Sequence, residues 1–302
     1  AAAFGPLRAA FPNRPIILGG IYAPLCPDPA APLGADQVLP ASATPYAASL
    51  PLTLYPDPGH ALISTSRGCP RRCHYCASAL LHPHFSPRPL AEILNDLDSQ
   101  VAGNPLRDLA FYDDALLWDK ENIFSPLVEQ LAEKFPQLNL HSPNGLSVGS
   151  LDERCCRALR QAGFKTLRLS FEGLDSRTKE ASDNKVTGEA YLRAVGNLIQ
   201  AGFESEQLET YLLLGLPGQA ADDLEASIEF VKRAGAKPKL CEYSPIPGTK
   251  FFKSEAELFP IIADEPLWHN NSVYMSYLTG RVEAEELQRL KSKSRQACNQ
   301  GL

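Results

Sequence analysis

Arg67-Gly68-Cys69-Pro70-Arg71-Arg72-Cys73-His74-Tyr75-Cys76 sets three cysteines at a C-x3-C-x2-C spacing. Thiolates are soft ligands that suit iron–sulfur clusters, zinc and copper(I). A [4Fe–4S] cluster normally takes four of them, and ferredoxin-type runs supply a further cysteine close by. None follows here: the next cysteines are the adjacent pair Cys155 and Cys156. Three ligands on a four-iron cube leave one iron open to a small molecule, as catalytic zinc sites keep one coordination position free. Zinc, or three thiols buried for packing, are the competing readings. The Arg, Pro, His and Tyr between the cysteines do not form a packed apolar stripe.

Outward from this loop, apolar runs of strand length alternate with segments of helical periodicity. The strands fall at Ala61–Ser66, Asp108–Asp113, Leu138–Ser142, Thr166–Phe171, Leu208–Leu214 and Pro238–Tyr243. Between them, Pro89–Val101, Lys120–Phe135, Leu151–Ala162, Gly188–Ala201 and Asp222–Ala234 carry apolar residues at three- and four-residue intervals. Gly163, Gly202 and Gly235 follow three of the helices, as left-handed C-caps require. Such alternation predicts right-handed βαβ units and a parallel sheet. The cysteine loop then follows the first strand. Asp113 and Asp114, Asn144, Glu172 and Gly215-Leu216-Pro217-Gly218 follow the second to fifth, at the end where parallel barrels gather their active sites.

The chain has 302 residues, enough for one large α/β domain with a smaller piece. Its 29 Lys and Arg against 35 Asp and Glu give a net charge of −6, so no nucleic-acid-binding surface is evident. Eight cysteines in a chain of this length, with no secretory signal, do not read as a disulfide scaffold. The longest uncharged stretch, Gln37–Pro56, contains Pro40, Pro45, Pro51 and Pro56, and reads as a linker, not a membrane span. A cytoplasmic location is the expectation.

The cysteine spacing, with Tyr75 before the third cysteine, resembles the cluster motif of the radical S-adenosylmethionine (radical SAM) superfamily. The resemblance covers roughly residues 58–250 and implies an α/β fold, the partial (β/α)6 barrel of that family. It also implies an enzyme in which Cys69, Cys73 and Cys76 bind a [4Fe–4S] cluster and the open iron chelates S-adenosylmethionine. One electron then cleaves the sulfonium to a 5′-deoxyadenosyl radical that acts on an unidentified substrate, with reduced flavodoxin or ferredoxin as electron donor. A non-catalytic zinc or iron–sulfur protein remains the alternative of another class.

The resemblance also distributes roles for the cosubstrate. Tyr75 offers backbone or ring contact to adenine. Asp113 and Asp114, in Phe111-Tyr112-Asp113-Asp114, stand where the family places an acid for the methionine ammonium, and strand alternation points the two apart. Asn144 closes the third strand. Ser170 and Glu172, on one strand face, approach the ribose or methionine, although Gly173 replaces a usual serine. Lys185 stands where some members hold the methionine carboxylate. His74 reads as a supporting neighbour of the loop, His82 and His84, flanking Pro83, as cleft residues or a metal pair, and Cys155 and Cys156 as helix residues without a third partner.

Residues 1–57 differ from the rest. Arg14-Pro15-Ile16-Ile17-Leu18-Gly19-Gly20 and Ala31–Leu39 read as strand, short helix or turn, and strand. They resemble the end of the Rossmann-like cobalamin-binding domain that precedes the barrel in one large subfamily. The Asp-x-His-x-x-Gly loop of that domain is absent, so a fragment or a lost half-domain is expected. Cobalamin-dependent radical methyl transfer is the related alternative, admitted only with an upstream domain. Residues 251–302 form a C-terminal extension with Asp264–Asn271 and an amphipathic helix, Glu283–Cys298, predicted to cover the open side of the barrel.

Overall fold

In the computed structural model, which describes residues 4–25, 34–40, 52, 55, 59–254, 257 and 283–296, the strands fall into three sheets. β1 (Ile17–Leu18) and β2 (Gln37–Val38) form a parallel pair with helix Tyr22–Leu25 between them. β3 (His60–Ile63) opens the main sheet, and β4 (Ser66–Arg67) pairs antiparallel with β5 (Ser86–Pro87). β6 (Asp108–Phe111), β7 (Asn139–Ser147), β8 (Phe164–Glu172), β9 (Leu208–Leu214) and β10 (Lys237–Glu242) complete the main sheet. Its order is β10-β9-β8-β7-β6-β3 and every pairing is parallel. The mixed α/β architecture has the parallel sheet expected from the alternation, and its six strands match the partial (β/α)6 barrel that the resemblance implies.

Alternation along the strands separates two faces. Leu167, Leu169 and Phe171 of β8 are buried, and Phe171 stacks at 4.4 Å on Tyr191 of helix Gly188–Gln200. Arg168 and Ser170 lie between them and face the concave side, where Arg168 bonds Glu209 of β9. The outer layer buries a continuous core that includes Phe111, Phe124 and Phe164, with Phe111 and Phe164 stacked at 5.6 Å. Asp152, Asp175 and Thr187 cap the helices that start after them by accepting from the backbone N–H of Cys155, Thr178 and Ala190. Gly163, Gly202 and Gly235 take φ of 89°, 94° and 89° at helix ends.

Three elements depart from the sequence expectation. The first strand ends at Ile63, because the chain turns into the β4–β5 pairing that ties the cysteine loop closed. The third strand runs on through Pro143-Asn144-Gly145 to Ser147, with a register shift against β8 between Ser142 and Leu146. The segment expected as one helix from Lys120 begins as a π-helical turn, Lys120–Phe124, before helix Ser125–Lys134. Pro126 has no N–H to continue a regular ladder there.

Helix Ala284–Arg295 packs on β10 and on helix Ala221–Arg233, burying Leu287 and Leu290. Arg289 binds Glu225 at 2.5 Å and Lys291 binds Glu242 at 2.5 Å. The helix therefore covers the β10 end of the sheet. Cys298, the stretch Asp264–Asn271 and most of the proline-rich linker lie outside the described residues. Among the described residues, no helix is long and apolar enough to cross a membrane.

Candidate active site at the strand ends

The cysteine loop leaves β3 through Thr65 and Ser66, and a buried carboxylate holds that departure. Asp113, just past β6, accepts from Thr65 N at 2.9 and 3.0 Å, from Thr65 Oγ1 at 2.7 Å and from Ser66 Oγ at 2.7 Å. Burial still pushes its pKa up, although those hydrogen bonds pull the other way. Within the loop, the Arg72 guanidinium donates to the carbonyls of Cys69, Arg71 and Pro83, each at 3.0 Å. One side chain thus gathers both limbs of the loop.

The three thiols stand half-buried on one side of a cavity of about 310 Å³. Burial pushes the thiols of Cys69 and Cys73 up, and the Lys185 ammonium opposes the rise at both. Cys73 Sγ points to Ser182 O at 3.4 Å and Cys76 Sγ to Ser78 Oγ at 3.3 Å. Tyr75 also lines the cavity, and burial holds its phenol well above the usual range.

Asp114 lies in the cavity wall, whereas Asp113 is turned to the start of the loop. Asn144, at the shift in β7, lines the cavity and donates from Nδ2 to Asp113 O at 3.1 Å. Across from these, β8 ends at Glu172 with φ of 75° and a register shift between Ser170 and Glu172. Positive φ at a non-glycine residue is a sparsely populated conformation that clusters at functional sites. Asp183 and Asn184, with φ of 59° and 49°, then bend the chain so that Lys185 returns to the same wall. Lys185 Nζ reaches Glu172 Oε1 at 2.6 Å and Ser170 Oγ at 3.0 Å, and Ser170 Oγ donates to Glu172 Oε1 at 2.9 Å. Burial disfavours the lysine charge, but the neighbouring Glu172 and Cys73 outweigh it, and the Lys185 pKa rises.

The cavity also uses residues that motif reading passed over. Trp118, 51% exposed, stands at its rim, and Tyr211 closes its inner wall, donating its hydroxyl to Pro143 O at 2.8 Å. Tyr211 was legible as the polar-side partner of Glu209 in the alternating run of β9; Trp118 carries no periodic signal. A side chain at Gly145 would meet Ser170 Oγ at 2.9 Å, so glycine keeps this wall open. His74 faces elsewhere: its Nε2 is 2.8 Å from Lys250 Nζ and its ring meets Phe251 edge-on at 5.7 Å. The carbonyls of His82 and His84 pack against Gly68.

The donor set is three thiolates of one loop, soft ligands that suit an iron–sulfur cluster, zinc or copper(I). On a four-iron cluster these three would leave one iron without a protein thiolate, and the cavity they line with Asp114, Glu172 and Lys185 gives room for a charged ligand there.

Residues 63–231, over half the chain, match the family model described as the radical SAM superfamily. Among curated proteins, the chain is 22% identical over 208 residues to an uncharacterized methyltransferase of Pyrococcus horikoshii, covering 68% of this chain and 44% of that protein. It is 22% identical over 244 residues to the tRNA-2-methylthio-N(6)-dimethylallyladenosine synthase of Bdellovibrio bacteriovorus, covering 78% and 53%. The chain thus spans about half the length of these relatives. Among solved structures, it is similar to the radical S-adenosylmethionine methyltransferase TsrM from Kitasatospora setae, with a TM-score of 0.57 and 18% identity over 68% of this chain and 40% of that one. Methylornithine synthase matches with a TM-score of 0.51 and 15% identity, over 79% and 63%. At these identities the structural likeness is one of fold.

Proposed function

The chain belongs to the radical SAM superfamily, and on that footing we propose that Cys69, Cys73 and Cys76 hold a [4Fe–4S] cluster and that the adjoining cavity takes S-adenosylmethionine for reductive cleavage. When bound, cluster and cosubstrate together supply one-electron cleavage of the sulfonium. The observation that carries the reading is that three thiols of one loop share a cavity with the charged set Asp114, Glu172 and Lys185.

The chain's own residues then divide the cosubstrate between them. Lys185 binds the methionine carboxylate, and Asp114 the ammonium. Ser170 and Glu172 accept from ribose hydroxyls or the ammonium. Tyr75 borders the adenine. Asn144 steadies the turn that aims Asp114, through its bond to Asp113 O. Asp113 serves the loop and not the ligand. Members of this family need an electron donor, and reduced flavodoxin or ferredoxin is the donor proposed here; the substrate is a separate molecule, not identified by these residues. Domain limits of 1–57, 58–250 and 251–302 go with this reading.

Anaerobic reconstitution tests it. The protein should hold about four irons per chain and, with reductant and S-adenosylmethionine, release 5′-deoxyadenosine and methionine slowly even without substrate. A full, reducible cluster with no cleavage would overturn the enzymatic part.

The parallel pair β1–β2, with a helix between, favours a second reading, cobalamin-dependent methyl transfer completed by an upstream domain. The 302-residue chain by itself should then retain no stoichiometric cobalamin on gel filtration. Stoichiometric retention would show that residues 1–57 suffice.

A further inference from the structure

Arg168, Glu209 and Lys239 form a charged floor below the cavity that the thiols line. Glu209 Oε2 accepts from Arg168 Nε at 2.7 Å and from Lys239 Nζ at 3.2 Å. Two cationic nitrogens thus share one oxygen, close enough for a single carboxylate or phosphate to touch both. Among the described residues neither cation pairs with a second carboxylate. The floor therefore carries one positive charge in excess. Its three side chains are 28%, 32% and 41% exposed, so a solute reaches them from the concave side.

Tyr211 joins this floor to the cavity. Its ring lies 6.0 Å from Lys239 Nζ, its hydroxyl donates to Pro143 O, and both Tyr211 and Pro143 line the cavity. Arg168 Nη1 reaches the same carbonyl at 3.5 Å. Arg168 precedes Ser170 of the cavity wall by two residues on β8, a strand rise of about 7 Å. On the other side, Glu209 and Lys239 border a second cavity, of about 830 Å³, along β10. Its wall adds Lys237, Lys291 and Arg295 against Glu206 and Glu242. This wall is also net positive, in a chain whose net charge is −6.

We propose that the molecule on which the radical acts is a small anion, held through a carboxylate or phosphate by Arg168 and Lys239, with its reacting carbon one side-chain layer nearer the thiols, above Tyr211. The proposal rests on the proposed cleavage of S-adenosylmethionine in the adjoining cavity. One negative charge brings the floor to neutrality and gains charge-assisted bonds to both cations. Glu209 holds the two cations side by side, which lowers the ordering cost of binding. A neutral or cationic ligand gains neither benefit. The apolar layers of a closed barrel would fill this position without selecting any charge. The substrate class is then an anion whose reacting C–H lies about 7 Å, two strand residues, from its charged group.

Titration of the cluster-loaded protein with inorganic phosphate and with succinate, at fixed ionic strength and followed by NMR of the ligand, tests the site. At least one of the two should bind saturably, and the tighter one identifies the source of the charge. Arg168→Gln and Lys239→Gln should each weaken that binding by about tenfold or more. Lys239 is the more exposed of the two cations, so its variant keeps the test if Arg168→Gln does not fold. A saturating anion should leave the affinity for S-adenosylmethionine unchanged. Saturable binding of neither anion, undiminished binding by the variants, or competition between the anion and S-adenosylmethionine would overturn the anion site and leave the proposed function in place. A full, reducible cluster with no cleavage of S-adenosylmethionine would remove both.

Discussion

Gly68 enters the cysteine loop at φ of 73° with its Cα against the carbonyl of His84, which an added β-carbon would approach to 2.6 Å. The partner atom is backbone and cannot swing aside. Gly68→Ala should therefore cost about 1–3 kcal/mol and displace the run from Cys69 to Cys76. The expected result is a folded protein by circular dichroism that takes up less iron than the unmodified chain. Full iron content and unchanged melting would show that the loop tolerates the shift.

Each thiol of the loop should be required. Cys73→Ala, reconstituted without oxygen, should not reach about four irons per chain, since one corner of the cube loses its ligand. Cys156→Ala provides the contrast: its thiol is buried in the helical layer and pushed up to about 12, so iron uptake should be unchanged. Loss of iron in the second variant and not in the first would reverse the assignment.

The six strands of the main sheet were legible because apolar runs of strand length alternate with segments of helical periodicity. Leu208–Leu214 matches the expected strand at both ends, being bounded by Gln207 and Gly215. That Cys69, Cys73 and Cys76 gather in one loop at one cavity was legible from their spacing. Less was legible where backbone geometry decides. Nothing in Pro143-Asn144-Gly145 says that the strand continues past a proline; the shift against β8 lets it do so. The separate surroundings of Asp113 and Asp114 depend on Thr65 and Ser66, some forty-eight residues away in sequence, which no local pattern reports. The Lys185–Glu172 contact likewise needs two left-handed residues and a strand-end irregularity to form.

Below the cavity, the concave face carries a charged cluster in place of the apolar layers of a closed barrel. Glu209 Oε2 accepts from Arg168 Nε at 2.7 Å and Lys239 Nζ at 3.2 Å. Burial raises the Glu209 pKa, but the two cations outweigh it and the net value falls below the usual 4.5. A folded value below the unfolded one means stability that is fully present above pH 4.5 and lost as pH falls through the folded value. Glu209→Gln should lower the melting temperature at pH 7 by about 2–4 °C, corresponding to ~1 kcal/mol for a partly exposed pair. The gap between variant and unmodified protein should narrow toward pH 3. A gap independent of pH would assign the effect to packing.

Asp113 and Asp114 are adjacent, yet the same substitution should affect different properties. Asp113 accepts from Thr65 N, Thr65 Oγ1 and Ser66 Oγ while nearly fully buried. Asp113→Asn replaces one acceptor oxygen with a donor and weakens charge-assisted bonds worth about 1.5–3 kcal/mol each. It should lower the melting temperature and slow cluster uptake, since these bonds fix the departure of the loop from β3. Asp114 borders the cavity instead. Asp114→Asn should leave melting and iron content unchanged and weaken S-adenosylmethionine binding by roughly tenfold or more, the loss of about one charge-assisted bond. Thermal melts, iron assays and equilibrium binding on the two variants decide the matter. A stable Asp113→Asn protein with weak cosubstrate binding, beside an Asp114→Asn protein that binds normally, would exchange the two roles.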